Sequence, residues 1–439
     1  MSSISLSVHE SNDYEDDFRK IVKEVNDLYG DINVDESLSL DDVEVRVFEA
    51  FRSLEQKFLE MCVSKKAGKK ESEPVECPEC KAPCRPLRKR AKHLTTLCGK
   101  ISIRRWVYCC EHGHRHAPWE VKQKLSDQYT HRVAEAMCRL SARLDYREAS
   151  EELSHQGIEV SHTRLHQNVC KWAEDLDVCE QVEAQELKEN QRWYVSCDGC
   201  HTNSPDGWKE VKVGCIYRDY PQPVSGGTPS VRTESIRYVA GRQNAAAFGK
   251  KLYALALKSG IYQKDINTQV IVFIGDGAAW IWNLCKEYFP NAVQIVDHMH
   301  ATSHLYNVAK VAFGETETEA IDTWIKETEP LLYHGNIIAV ASNIRALATQ
   351  HPEVSEVLER EARYFEKHAN RMQYKAFREK GYMIGSGVIE SACKHVVGER
   401  CKQAAMRWER PGINAVLKWR CLSKNKAWDK YWYPNTKAA

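Results

Sequence analysis

Apolar residues recur at helical spacing in residues 14–62. The second run of this segment has apolar positions at Val45, Phe48, Phe51 and Leu54. Ser39 precedes this run and is followed by acidic residues, as expected of a helix N-cap. We therefore predict an amphipathic helical pair or short coiled coil that packs on another part of the protein.

A second helical pattern covers residues 130–176 and contains a turn at Gly157. Its apolar positions are those that a helix-turn-helix buries, namely Ala149, Leu153, Ile158, Val160, Leu165 and Val169. Ser161 is the predicted N-cap of the second helix. That helix would present His162, Thr163, Arg164, His166 and Gln167. An ordinary helical hairpin is the alternative, and the neighbouring basic segment described below favours DNA binding.

From residue 191 the pattern changes to strands. The runs "RWYVSCDG", "WKEVKVGCIYR" and "SIRYVAGR" predict three strands separated by turns. Next come a helix "NAAAFGKKLYALALKSG", a strand "TQVIVFIGDGAAW", a helix "IWNLCKEYF" and a strand "AVQIVDHMHATSHL". This order predicts a multidomain α/β protein whose sheet has antiparallel and parallel parts. Residues 305–380 are predicted to be almost entirely helical.

Length and charge extend this picture. A chain of 439 residues predicts two to four domains, because a single core rarely grows so large. Residues 1–60 contain sixteen acidic and six basic residues, whereas residues 81–105 contain nine basic and no acidic residues. A second basic stretch spans residues 394–426. Local positive charge attracts phosphate backbones, and solvated helix faces are the alternative explanation.

Membrane and secretion signals are not evident in the sequence. No stretch approaches the roughly 18 uncharged apolar residues of a membrane span. The N-terminus is acidic and has no apolar signal region. We therefore expect a cytoplasmic protein without a membrane partner. Seventeen cysteines in such a protein predict reduced thiols, some of them bound to a metal.

Cysteine and histidine pairs bracket two predicted strands. Cys77-x-x-Cys80 and Cys109-x-x-His112 enclose the runs "HLTTLCG" and "ISIRRWVYCC". Two such pairs on turns joined by a hairpin are typical of a zinc ribbon with structural Zn²⁺. Substitute ligands are present at Cys84, Cys110, His114 and His116, and reduced cysteines without metal are the alternative. The basic run predicts contact with a DNA backbone through Arg88, Lys89, Arg90, Arg104 and Arg105.

Three aspartates follow predicted strands. Asp198 ends the first strand, Asp276 the fourth and Asp297 the fifth. The carboxyl ends of strands bind ligands in open α/β sheets, so these acids should converge. Carboxylates suit Mg²⁺ or Mn²⁺, and two ions ~3.5–4 Å apart stabilise phosphodiester displacement. Each acid also has a structural alternative as a turn residue, a helix cap or a group that orients a histidine.

Two further pairs offer competing chemistry. Cys197-x-x-Cys200 flanks Asp198 and resembles a redox pair, although a predicted loop follows it where a redox motif would open a helix. Asp297-x-x-His300, together with His304, has the spacing of metal ligands on a helix. A second zinc site at this position is therefore an alternative, although the chemistry of the three aspartates does not need it.

The order strand-Asp, strand-Asp, helix-Glu resembles the ribonuclease-H-like DDE transposases. More specifically, the chain looks like a bacterial insertion-sequence transposase of the ISKra group, related to the Mutator-like superfamily. The carrying motifs are "CPEC…YCCEHGH" at 77–114, "SCDG" at 196–199, "IGDGAAWIWNL" at 274–284, "VDHMHATSHL" at 296–305 and "FREKGYMIGSGVIESACKHVVGERCKQAAMRW" at 377–408. The resemblance covers most of the chain from about residue 70, and the last motif is its most specific part.

The resemblance implies Asp198, Asp276 and Glu390 as ligands of two Mg²⁺ or Mn²⁺ ions. Asp297 and His300 match an accessory Asp-x-x-His element near the site. The implied reaction is hydrolysis at the ends of a mobile element, followed by attack of the freed 3′-hydroxyl on target DNA. The implied partners are double-stranded DNA and further copies of the chain, as a homodimer or higher oligomer.

Glu390 follows a small-residue turn at residues 385–387. A capping box places Glu or Gln three residues after a Ser or Thr N-cap. Counted from Ser386 this position is Ile389, and Gly387 has no side chain to complete the box. A capping box therefore does not explain Glu390, and the resemblance implies it as the third metal ligand. Arg400, Lys402 and Arg407 on the following segment would hold DNA, with a solvated face as the alternative.

The predicted organisation has seven parts. They are an acidic helical region at 1–70, a zinc-ribbon-like module at 71–125, a helix-turn-helix region at 126–188, a ribonuclease-H-like core at 189–304, an all-α insertion at 305–381, the final core helix at 382–426 and a tail at 427–439. The predicted function is DNA transposition. A catalytically inactive DNA-binding regulator and a nuclease without strand transfer are the alternatives.

Overall fold

Helices and two β-sheets make up the protein in a computed structural model. The structure describes residues 13–123, 125, 127–186, 191–221, 231–262 and 269–434. Residues 1–12 of the predicted acidic region and 435–439 of the predicted tail lie outside the described residues. The strands are β1 Val75–Glu76, β2 Pro83–Thr96, β3 Gly99–Cys110, β4 Arg115–His116, β5 Trp193–Ser204, β6 Gly207–Pro221, β7 Val231–Gly241, β8 Ile271–Gly275 and β9 Val293–Val296.

Helices occupy most of the remaining described chain. The α-helices are α1 Asp13–Val34, α2 Leu40–Ala67, α3 Pro118–Lys122, α4 His131–Ser141, α5 Tyr146–His155, α6 His162–Ala173, α7 Ala245–Ser259, α8 Ala279–Tyr288, α9 His298–Phe313, α10 Thr318–Tyr333, α11 Ile337–Gln350, α12 Ser355–His368, α13 Tyr374–Glu379, α14 Gly387–Ala392, α15 Glu399–Cys401, α16 Arg410–Lys424 and α17 Trp428–Trp432. Short 3-10 turns lie at Cys179–Gln181, Pro352–Val354 and Ala369–Arg371, and a π-helical segment at Cys393–Gly398 separates α14 from α15.

The chain divides into two compact units. The first extends to Ser141 and includes Asp145–Leu165, and the second consists of Ala142–Leu144 and the chain from His166 onward. Each unit contains one of the two sheets. The α/β class with mixed sheets and many helices, predicted from the sequence, is confirmed.

The sheet of the first unit has the order β1-β2-β3-β4 and is antiparallel throughout. The hairpin of β2 and β3 dominates it, with Thr96 opposite Gly99 at the tip and Cys84 opposite Cys110 at the base. Leu94, Ile101 and Ile103 point from this hairpin into a small core that Ala67 at the end of α2 completes. The predicted pair of strands between the cysteine pairs is therefore present.

Helix α2 packs on this hairpin. Its N-terminus has a complete capping box in which Ser39 and Asp42 exchange hydrogen bonds, as the predicted N-cap requires. Near its C-terminus, the Trp106 indole N–H donates to the Gly68 carbonyl at 3.1 Å. The apolar stripe is less buried than predicted, since Leu54 is buried whereas Val45, Phe48 and Phe51 are exposed: 55%, 63% and 46%.

The predicted turn between two helices is present at residues 156–161. Gly157 has a φ of +78°, which favours glycine, and Ser161 accepts the backbone N–H of Arg164 at 3.3 Å as the cap of α6. The predicted core positions are buried: Ala149, Leu153, Ile158, Val160, Leu165 and Val169. The side chains predicted to face a ligand are exposed: His162, Thr163, Arg164, His166 and Gln167.

The sheet of the second unit has the order β7-β6-β5-β8-β9. Strands β5, β6 and β7 are antiparallel, whereas β8 and β9 run parallel to β5. This arrangement is the mixed sheet that the sequence predicts. It makes β5 the strand at which the antiparallel and the parallel halves meet.

Different helices cover the two faces of this sheet. On one face Gly214, which pairs with Cys197, lies against Phe248 and Leu252 of α7. On the other face the Tyr194 hydroxyl accepts the backbone N–H of Met383 at 3.2 Å. Because alternate residues of a strand face opposite sides, Asp198 lies on the face that meets the C-terminal segment.

Helices α9 to α13 fill the chain between β9 and the segment with Glu390, as predicted for residues 305–380. Tyr364 of α12 reaches the sheet and donates its hydroxyl to the carbonyl of Asp276 at 3.2 Å. Among the described residues, no helix combines the length and apolar character needed to cross a membrane.

Candidate functional site

Asp198 lies within a strand, not at its end as predicted. The parallel pairing of β5 with β8 stops at Ser196, but β5 continues to Ser204 as a hairpin with β6. Asp198 is therefore paired with Val213 of β6 on one side, and on the other side it lies beyond the pairing with β8. This places the carboxylate where the two halves of the sheet separate, on a rigid element.

Asp276 follows β8 directly, as predicted. Its Oδ1 accepts the backbone N–H of Ala278 at 2.8 Å, which shapes the turn after the strand. The N-cap of α8 is Ala278, so Asp276 does not fill that alternative role. Gly277 has a φ of +105°, and a side chain there would meet the Tyr364 hydroxyl. The backbone of this turn is therefore closely constrained, which fixes the position of Asp276.

Asp297 follows β9 and is the N-cap of α9, which was its structural alternative. One carboxylate oxygen accepts the backbone N–H of His300 at 2.7 Å, and the other accepts the backbone N–H of Ser386. The side chain is only 1% exposed. The backbone N–H of His298 also donates to the Ile384 carbonyl at 2.9 Å. Asp297 thus fastens the turn before Glu390 to the end of β9.

Glu390 is exposed in the first turn of α14. Ser386 is the N-cap residue without a capping hydrogen bond from its side chain, and its hydroxyl lies 3.4 Å from Glu390 Oε1. The predicted lack of a capping box is therefore confirmed. The side chain is available for another role.

Asp198, Asp276 and Glu390 line one cavity of about 320 Å³. Other residues that line it include His300, Ser386 and Met299. The three acids belong to β5, the turn after β8 and α14, so that distant parts of the chain meet here. We call these three residues the acidic cluster.

Within the acidic cluster, the surroundings of Asp198 disfavour its ionised form. Burial raises the pKa of Asp198, and the charge of Asp276 raises it further. The backbone N–H of Gly199, 2.6 Å from Asp198 Oδ1, opposes this increase. A cation among these oxygens would stabilise the ionised carboxylates, and an all-oxygen donor set suits a hard divalent ion.

A chain of side chains extends from the cavity into α12. His300 Nε2 lies 3.2 Å from His304 Nε2, and His304 Nδ1 lies 2.6 Å from Glu361 Oε2. Tyr364 stacks on the His304 ring with a centroid distance of 4.2 Å. Glu361 and Tyr364 were not predicted, because nothing in a helical sequence marks which residues reach a distant site. Since backbone N–H groups occupy both oxygens of Asp297, an Asp297–His300–His304 zinc site is not supported.

The geometry also excludes a disulfide between Cys197 and Cys200. They lie three residues apart on one strand, so their side chains face opposite sides at roughly 10 Å, beyond the reach of a disulfide. Cys197 is buried, which raises the pKa of its thiol well above the usual range. Cys393 Sγ, from the segment after α14, lies 3.7 Å from Asp198 Oδ2.

Cysteines and histidines meet at the base of the β2–β3 hairpin. Ligand atoms of Cys77, Cys80, Cys110 and His114 all lie within 4.8 Å of one another, close enough to hold a metal ion. We call these four residues the thiol cluster. The backbone N–H groups of Cys80 and Glu79, with the neighbouring side chains, lower the pKa of Cys77 to about 6. This favours the thiolate, the form that binds metals.

The thiol cluster corrects two of the four predicted zinc ligands. Cys109 is opposite Arg85, whereas Cys110 is opposite Cys84, so the two neighbours face opposite sides of the hairpin. Cys109 Sγ lies against the carbonyl of Cys110, outside the cluster. His112 Nδ1 lies 3.4 Å from Cys80 Sγ but does not belong to the four-residue group, in which His114 takes its place.

Comparison with known proteins places the chain in a family. The family model described as "Uncharacterised protein family (UPF0236)" matches residues 33–430. The chain belongs to UPF0236. The matched range includes both the thiol cluster and the acidic cluster. Among curated proteins, none matches the chain.

Basic residues of this UPF0236 chain differ in their exposure. A side chain that contacts DNA must be exposed. Among the predicted DNA contacts, the exposed residues are Arg88, Lys89, Arg90, Arg104, Thr163, Arg164, Lys402 and Arg407. Arg105 is partly buried and forms an ion pair with Glu120. Arg400 is 0% exposed, with its guanidinium 5.1 Å from the centre of the Trp408 ring. The prediction that Arg400 contacts DNA is therefore wrong, because the side chain is part of the core.

Proposed function

We propose that this protein is a DDE-type DNA transposase that cleaves DNA and joins the 3′ ends to target DNA. The observation that carries the proposal is the acidic cluster, in which three carboxylates from distant segments line one cavity. The order of the sheet also fits a ribonuclease-H-like core, with β5 central and the first acid on it. The helices α9 to α13 would then be the all-α insertion before Glu390.

Asp198, Asp276 and Glu390 would hold two Mg²⁺ or Mn²⁺ ions, which supply Lewis-acid stabilisation of the attacking and leaving oxygens. Asp198 is fixed by its strand and Asp276 by its turn, so these carboxylates need little reorganisation. Asp297 acts as a positioning residue, since it holds the turn that carries Glu390. His300 lies in the same cavity, where its imidazole can contact a bound phosphate.

The first unit would bind double-stranded DNA. The exposed side chains of Arg88, Lys89 and Arg90 follow one another along β2, and phosphate contacts by such residues provide sequence-independent affinity. Thr163 and Arg164 lie at the start of α6, in the position of a recognition helix. The thiol cluster would hold structural Zn²⁺ at the base of the hairpin. We further propose a cytoplasmic protein that assembles as a homodimer or higher oligomer on DNA.

A cleavage assay with DNA from the ends of the mobile element tests this function. Purified protein is incubated with labelled end DNA, target plasmid and Mg²⁺, and the products are separated by size. Wild type should give cut ends and joined products, and Glu390→Gln should give neither. Glu409→Gln is the matched control, because Glu409 is exposed in the same segment but lies outside the cavity lining.

Each alternative has its own signature in this assay. Cut ends without joined products would indicate a nuclease. DNA binding without any cleavage by wild type would indicate a regulator. Cleavage that persists in Glu390→Gln at the wild-type rate would contradict the assignment of the acidic cluster.

A further inference from the structure

A second group of metal ligands shares Cys77 with the thiol cluster. Ligand atoms of Cys77, Cys84 and His116 also lie within 4.8 Å of one another. Two potential sites are therefore adjacent at the base of the hairpin, and a single thiol belongs to both.

We propose that the hairpin holds two zinc ions bridged by the Cys77 thiolate. The first ion would be bound by the thiol cluster. The second would be bound by Cys77, Cys84 and His116, with a fourth position open to water. Three protein ligands and a water complete the tetrahedral coordination that zinc prefers. This inference does not depend on the proposed transposase activity.

Strand register places the ligands on one side of the sheet. Cys84 pairs with Cys110, and His116 of β4 pairs with Tyr108, two residues from Cys110. Residues that pair, and residues two apart, share a face, so Cys84, Cys110 and His116 project to the same side. The same strand register that excludes Cys109 from the thiol cluster therefore places Cys84 and His116 on the side of the sheet where they can bind the second ion.

Cys77 is held where it can bridge. Its backbone N–H donates to the Ala82 carbonyl, and its carbonyl accepts the Lys81 N–H, both at 2.9 Å. These bonds close a tight turn in which Lys81 has a φ of +62°. The Cys77 side chain is fully buried, and His114 Nδ1 lies 3.6 Å from its sulfur.

His116 provides the independent observation for the second ion. Its Nδ1 is buried and has no hydrogen-bond partner. A buried polar atom without a partner is costly, and a metal ion would satisfy it. Cys84 Sγ makes a weak hydrogen bond, 3.7 Å from the Ala82 carbonyl.

Metal stoichiometry tests the inference in the full-length protein. The protein is produced with added zinc and freed of loose metal by gel filtration. Zinc per chain is then measured by mass spectrometry, and far-UV circular dichroism confirms folding. We expect two zinc ions per chain in wild type and one in His116→Asn and in Cys84→Ser. Cys109→Ser is the matched control and should keep two, because Cys109 faces the other side of the hairpin.

Several outcomes would overturn the inference. One zinc ion in wild type would mean that Cys84 and His116 are spare groups around a single site. Two ions retained in His116→Asn would place the second ion elsewhere on the chain. Loss of both ions from His116→Asn in a folded protein would contradict two separable sites. Cys84→Ser provides the same readout if His116→Asn fails to fold.

Discussion

The acidic cluster and the thiol cluster are assembled in different ways. Members of the thiol cluster lie within residues 77–114 and are brought together by one hairpin and its turns. Members of the acidic cluster are spread from residue 198 to residue 390 and require a whole sheet, with a helical segment between the last two. The thiol cluster, a local site, therefore depends on the register of a single hairpin. The acidic cluster, a distributed site, depends on the contacts that hold remote segments of the chain together.

The largest expected effect concerns the local site. Cys110→Ser should lower the stability of the hairpin by more than about 4 kcal/mol, because structural zinc contributes much of the folding energy of small modules. Hydrogen exchange of β2 and β3 measures this loss, and Cys109→Ser should leave exchange nearly unchanged. Equal effects of the two substitutions, or wild-type exchange that does not respond to a chelator, would contradict a metal in the thiol cluster.

At the distributed site, Asp198→Asn should reduce Mg²⁺-dependent cleavage by more than about 100-fold, the upper range for residues that merely support a metal ligand. In the absence of metal, the Asp198→Asn variant should be no less stable than wild type. The half-buried carboxyl group of Asp198 has a raised pKa, so its contribution to stability is present in acid and is lost as the pH rises through the pKa of the folded state. Asparagine does not ionise and therefore avoids this loss. Thermal melting in chelator at neutral pH checks this, and a clear fall in melting temperature would show that the carboxylate is structural.

Asp297→Asn tests the link between remote segments. Asparagine has one oxygen where Asp297 uses two, so a backbone N–H of His300 or Ser386 loses its acceptor. We expect the free energy of unfolding to fall by about 2 kcal/mol, measured in urea. Cleavage should fall as well, with KM for DNA changed less than kcat. An unchanged urea midpoint would show that the two hydrogen bonds are not structurally important.

The smallest effect separates two neighbouring basic residues. Lys402→Ala should weaken DNA binding a few-fold, with a salt dependence lower by about one phosphate contact, and leave stability unchanged. Arg400→Ala should instead destabilise the fold by about 2 kcal/mol, because its buried side chain packs on Trp408. Binding titrations at several salt concentrations and urea unfolding distinguish them. A reduced salt dependence for Arg400→Ala in the folded protein would restore it as a DNA contact.

Sequence patterns predicted the positions of two aspartates at strand ends for a physical reason. A buried strand of β-branched and aromatic residues ends at the first polar residue of the sequence that follows it. This rule correctly predicted that Asp276 and Asp297 directly follow strands. Asp198 was placed at a strand end because the polar run "CHTNS" lacks the alternation of a half-buried strand. That run is paired all the same, since β6 supplies hydrogen bonds to its backbone regardless of its side chains.

The thiol cluster shows what spacing cannot determine. Cys109 and Cys110 are adjacent, and their spacings from nearby histidines are equally plausible for zinc. A shift of one residue in strand register exchanges the two faces of the hairpin, and only the pairing of Cys84 with Cys110 decides between them. Arg400 is a similar case, because a run of basic residues does not reveal that one of them packs under a tryptophan.

The hydrogen bonds of His298 to Ile384 and of Asp297 to Ser386 join two points that are far apart in the sequence. The chain therefore leaves the sheet after β9 and returns to the same place before Glu390. A segment with its two ends fastened together can change in length without moving what lies outside it. Helix α12 is held in place by the contacts of Glu361 and Tyr364 with the site, whereas α10 and α11 can change in length while the glutamate still arrives at the same position beside β5.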